Sequence, residues 1–140
     1  MISTGLARAL QEAGLHWHPA SGDAFRIERP GFEADVFTVS DMTIEPHEFD
    51  TGTILGFNGT TEWALDSLAL EDALWLPRED QLRDLLGGTF RLLRRLPQGE
   101  YAVEAELGGD VTEYRGPNPA DAYAEALLAL VAHSGGNRAG

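Results

Sequence analysis

The chain has 140 residues, of which 43% are hydrophobic and none is cysteine. This length and composition predict one globular domain over residues 1–133 with a core of its own, followed by a flexible tail at residues 134–140. The absence of cysteine excludes disulfides, thiolate metal sites and a cysteine nucleophile. Ten Lys+Arg against 23 Asp+Glu give a net charge of -13, which argues against a protein that binds nucleic acid through phosphate contacts.

The sequence carries no membrane or export signal that we recognise. No stretch approaches the roughly 18 apolar residues that a membrane-spanning helix needs. The first residues do not combine a basic stretch with an apolar run, as a secretory signal peptide does. We therefore expect a cytoplasmic protein without a membrane partner.

The first part of the chain predicts one helix and two strands. Ser3 or Thr4 can cap a helix, and Gly14 can supply its left-handed C-cap. Apolar residues recur along this segment with helical spacing, at Leu6, Ala9, Leu10 and Ala13. Alternating and β-branched residues then predict strands at residues 25–27 and 35–39.

The middle of the chain predicts further strands. Residues 42–45 alternate, and Pro46 would end this strand or place it at a sheet edge. Residues 53–57 run into Asn58-Gly59, a strong hairpin signal whose returning strand would be residues 61–65. The run 62–74 also fits a helix. The Asn-Gly turn favours a strand for its first half, but both interpretations stay open.

The last part of the chain predicts two helices around a meander of strands. Pro77 precedes a helix at residues 78–86, and Asn118-Pro119 opens a second helix that ends at His133. The strands between them are predicted at residues 90–96, 101–107 and 111–114. Strands outnumber helices and follow one another in hairpin order. The predicted fold class is therefore α+β, a mainly antiparallel sheet with N-terminal, middle and C-terminal helices packed on one face.

Charge is distributed unevenly along the chain. Residues 30–77 contain no Lys or Arg and ten acids: Glu33, Asp35, Asp41, Glu45, Glu48, Asp50, Glu62, Asp66, Glu71 and Asp72. Residues 78–95 contain five arginines and three acids. Two interpretations remain open. The two segments fold against each other and neutralise their charges, or the acidic segment is a docking surface for a basic partner.

The docking interpretation names six candidate binding residues from the acidic segment and its end. An exposed tryptophan among acids is a typical interface anchor, although tryptophan is more often mostly buried. The candidates are Glu45, Glu48, Asp50, Trp63, Asp66 and Trp75.

Residues that could carry catalysis or bind a metal form no complete set. His16 and His18 on extended chain could chelate zinc with a third ligand from the later loop that holds His47, Glu48 and Asp50. Among 23 acids, neighbouring carboxylates are expected by chance, so they do not indicate a catalytic pair. Within the predicted sheet, we expect ion pairs of Arg91, Arg94 and Arg95 with Glu104 and Glu106. All ten basic residues are arginine, so the lysine of a phosphate-binding loop is missing. We therefore expect no catalytic residue and no cofactor.

Three segments carry a family resemblance: residues 54–67, residues 74–82 with the sequence Leu-Trp-Leu-Pro-Arg-Glu-Asp-Gln-Leu, and residues 118–124. Together they resemble small uncharacterised actinobacterial proteins, some labelled pilus assembly protein, that share a Trp-Leu-Pro-X-X-Asp-Gln-Leu pattern. The resemblance implies a bacterial protein and brings no established activity.

The sequence thus leads to two hypotheses of different classes. The preferred one is a non-enzymatic, acidic domain that acts through contact with a basic protein. A special case of this hypothesis is an immunity protein that caps a basic nuclease. The alternative is a small-ligand or metal-dependent enzyme with a pocket near His16, His18 and His47.

Overall fold

The computed structural model describes residues 1–39, 44–49, 52–57, 67–69 and 72–139, with side chains over 1–39 and 72–134. It contains three helices: α1 (Thr4–Glu12), α2 (Glu79–Leu86) and α3 (Pro119–Ala139). Its strands are β1 (Ala24–Ile27), β2 (Phe37–Thr38), β3 (Ile44–Phe49), β4 (Gly52–Phe57), β5 (Ser67–Ala69), β6 (Ala73–Leu76), β7 (Phe90–Arg95), β8 (Tyr101–Leu107) and β9 (Asp110–Gly116). All strand pairs among the described residues are antiparallel, and the predicted α+β class is confirmed.

The chain divides into two compact units. The helical unit comprises Met1–His16 and Pro77–Gly140, and the inserted unit comprises Trp17–Leu76. The inserted unit therefore interrupts the helical unit in sequence, between α1 and α2. That the whole chain behaves as one domain stays a prediction.

The helical unit is built around α3. This helix contacts β8 and β9 of the sheet β7-β8-β9, and it also contacts α1 and α2. Because neighbours surround its first half, that half is made mostly of small buried residues: Ala120, Ala122, Ala124 and Ala126. On the sheet side, Val103 and Ala105 are fully buried, and the ring of Phe90 lies 5.7 Å from that of Tyr123.

Local signals set both ends of α1, as the sequence predicted. The Ser3 hydroxyl accepts a hydrogen bond from the Leu6 N–H at 3.4 Å. At the other end Gly14 has a φ of 110°, and its N–H donates to the Gln11 carbonyl. The N–H of Leu15 donates to the Leu10 carbonyl at 3.0 Å, which completes a Schellman motif.

The other two helices begin where they were predicted, within one residue. The Arg78 N–H donates to the Gln81 side chain at 2.9 Å at the start of α2. The Asn118 side chain accepts from the Asp121 N–H at 2.9 Å at the start of α3. However, α3 continues to Ala139, past His133 where the sequence predicted its end. Glycine costs a helix only about 1 kcal/mol and retains its N–H, so Gly135-Gly136 does not force a stop as proline would.

In the inserted unit, β1 is the central strand of the described sheet β2-β1-β6. The core on this sheet consists of Trp17, Phe25, Ile27, Val39 and Ala73. Strand β2 is shorter than the predicted 35–39, because the Asp35 N–H donates to the Phe32 carbonyl in a turn. Strand β6 was not predicted.

The second sheet of the inserted unit has the order β3-β4-β5. Pro46 lies within β3, at an edge of the described sheet, so it places this strand at an edge and does not end it. The central strand β4 pairs with β3 on one side and with β5 on the other, in a register that sets Ile54 opposite Ala69. The predicted Asn58-Gly59 turn and the returning strand at 61–65 lie outside the described residues.

Candidate functional site

Most of the negative charge belongs to one unit. The inserted unit has two arginines and twelve acids, a net charge of -10, whereas the helical unit has eight arginines and eleven acids, a net charge of -3. The twelve acids are Asp23, Glu28, Glu33, Asp35, Asp41, Glu45, Glu48, Asp50, Glu62, Asp66, Glu71 and Asp72. The candidate site is therefore the surface of the inserted unit.

The inserted unit has few cations with which to neutralise its own acids. The Arg29 guanidinium pairs with the Asp72 carboxylate at 2.8 Å, and both side chains are about one-third exposed, at 34% and 36%. The Glu28 N–H also donates to the Asp72 carbonyl, so this ion pair lies where β1 and β6 adjoin. Arg26 is the only other cation of the unit. Pairing within the unit thus leaves most of its acids without a guanidinium.

The arginines that follow the acidic segment pair with acids of the helical unit. Arg91 pairs with Glu106, as predicted. Arg94 donates to Glu113 at 2.5 Å, instead of to Glu104 or Glu106. Glu113 lies on β9, opposite Glu104 of the central strand β8.

Two further ion pairs lie within the helical unit. Arg115 donates to Glu113 at 3.3 Å, and Arg78 donates to Asp80 at 3.1 Å. The guanidinium of Arg94, with a contribution from Arg115, holds the pKa of Glu113 below its ordinary value. Three of the five arginines in residues 78–95 are thus engaged by acids of their own unit.

Two acids of the arginine-free segment are described with exposed side chains, Glu33 and Asp35. The Glu33 carboxylate accepts from the Gly31 N–H, with its two oxygens at 3.2 and 3.0 Å. Hydrogen bonds from the backbone N–H groups of Glu33 and Gly31 lower the pKa of Glu33. Both side chains are placed where a basic partner could reach them.

A third acid of the inserted unit has a structural role that the sequence did not reveal. Asp23 is only 3% exposed, and its Oδ2 accepts from the Trp17 indole N–H at 2.9 Å and from the Ala20 N–H at 3.0 Å. A Ser-Gly-Asp sequence is typical of a turn and does not indicate that the aspartate carboxylate is buried. The Asp23 carboxylate is therefore a buried structural group of the inserted unit.

The aromatic candidate Trp75 lies at the boundary of the core. It is half-buried, packs against the core of the β2-β1-β6 sheet and stacks on Trp17 at 6.5 Å with 9° between the ring planes. Its indole nitrogen is buried and has no hydrogen-bond partner among the described residues. Trp75 is thus a core residue with one accessible part, and not a fully exposed anchor.

The other candidate binding residues are described in part or not at all. Glu45 and Glu48 lie on β3, opposite Gly56 and Thr53 respectively. Their side chains lie outside the described residues, as do Asp50, Trp63 and Asp66 in full. That these groups form one patch stays a prediction.

The histidines of the alternative hypothesis flank the buried Trp17. His16 and His18 are both exposed, whereas His47 lies on β3 with a side chain outside the described residues. Within the described part of the chain, no three His, Asp or Glu side chains could hold a metal ion together. A zinc site that includes His47 stays a prediction.

Comparisons of the chain with protein-family models, with curated proteins and with solved structures find no match. In the described part of the chain, no helix has both the length and the apolar character that crossing a bilayer requires.

Proposed function

We propose that this chain is a non-enzymatic, cytoplasmic interaction domain whose inserted unit binds a basic protein partner. The observation that carries this proposal is the charge of that unit, twelve acids against two arginines. Because Arg29 is already engaged by Asp72, most of the remaining carboxylates need an external counter-charge or solvent.

The physical basis is electrostatic steering. A surface of one sign attracts partners of the opposite sign and raises the rate of encounter, and salt screens this effect beyond a Debye length of about 8 Å at physiological ionic strength. Backbone hydrogen bonds lower the pKa of Glu33, which favours the charged form of this carboxylate. Binding through the inserted unit should therefore be fast at low salt and should weaken as salt is added.

The helical unit would act as the scaffold. Its described outer sheet surface sets three arginines, Arg91, Arg94 and Arg115, beside Glu104, Glu106 and Glu113. This surface has no net charge and offers little attraction to a basic protein. Acids of the helical unit can therefore serve as a control for acids of the inserted unit when binding of the partner is measured.

The test begins with capture of partners from native lysate at low and at high salt, followed by binding kinetics with the purified partner. One variant neutralises four acids of the inserted unit: E33Q, D35N, E45Q and E48Q. The matched control neutralises four exposed acids of the helical unit: E12Q, D84N, E100Q and D110N. Both variants change the net charge by the same amount.

We expect the inserted-unit variant to lower the association rate constant by about tenfold or more, since long-range attraction acts mainly on association. The control variant should stay within about twofold of the wild type if only the inserted unit contacts the partner. Equal effects of the two variants, or binding that does not depend on salt, would contradict the proposal.

If the captured partner is a basic nuclease, its inhibition would support the immunity-like form. Stoichiometric zinc in the purified protein would instead favour the histidine site.

A further inference from the structure

We draw no further inference here: the strongest candidate, the outer face of the β7-β8-β9 sheet with its exposed Leu92 and Val111, balances three arginines with three glutamates, and nothing in the structure shows what covers it.

Discussion

The backbone N–H of Ser3 donates a hydrogen bond of 2.7 Å to Oδ1 of Asp121, across 118 positions of sequence. Asp121 is 5% exposed and lies in the first turn of α3, where a carboxylate also interacts favourably with the helix dipole. Ser3 is the N-cap of α1. One buried carboxylate thus joins the starts of two helices of the helical unit.

Replacement of Asp121 tests this junction. Asp121→Ala leaves the Ser3 N–H without its acceptor, and we expect a loss of about 1–3 kcal/mol in the free energy of unfolding. Asp121→Asn keeps an acceptor oxygen and should cost clearly less. Urea denaturation monitored by circular dichroism measures both, and Asp84→Ala at an exposed position of α2 is the control. Equal losses for Asp121→Ala and Asp84→Ala would show that the hydrogen bond contributes nothing.

Gly116 lies at the end of β9, against the backbone of α3. A Cβ at this position would lie 2.7 Å from the Ala122 nitrogen and 3.0 Å from the Asp121 carbonyl carbon. Because these are backbone atoms of a packed helix, we expect Gly116→Ala to destabilise the protein by about 1–3 kcal/mol. Gly88→Ala meets open space and should change the stability by less than about 0.5 kcal/mol. Similar melting temperatures for the two variants would rule out a close approach at Gly116.

The hydrogen bond between Trp17 and Asp23 should couple these two residues energetically. Trp17→Phe removes one donor to a buried carboxylate, and Asp23→Ala leaves the indole N–H and the Ala20 N–H unsatisfied. A double-mutant cycle on chemical denaturation should therefore give a coupling free energy between about 0.5 and 3 kcal/mol. Additive effects within the experimental error would mean that this hydrogen bond does not stabilise the inserted unit.

The ion pair of Arg94 with Glu113 predicts a dependence of stability on pH. The folded-state pKa of Glu113 lies below its ordinary value. The pair therefore stabilises the fold above the ordinary glutamate pKa of about 4.3, and this contribution is lost as the pH falls through the folded-state pKa. In Arg94→Gln, an NMR titration of the Glu113 carboxyl should give a higher pKa than in the wild type. Arg91→Gln removes the partner of Glu106 and should leave the Glu113 titration unchanged.

The sequence alone located the elements whose signals are local. The hydrogen bond from the Leu6 N–H to the Ser3 hydroxyl, those around the left-handed Gly14 and the cap at Asn118 each join residues within a few positions, so these signals can be read directly from the sequence. Strands β7, β8 and β9 follow the same rule, since tight turns join them in sequence order. The residue types alone also give the net charge of the chain and locate the acidic segment at residues 30–77.

Only the tertiary structure decided which distant residues meet. Strand β6 pairs with β1 across the middle of the chain, and a run of four apolar residues before Pro77 does not indicate that partner. The position of Trp75 at the core boundary depends on the same pairing, because Trp75 lies opposite Phe25. Composition determined how much charge the protein carries. How this charge is divided between the two units is known only from the fold, because the helical unit is assembled from the two ends of the chain.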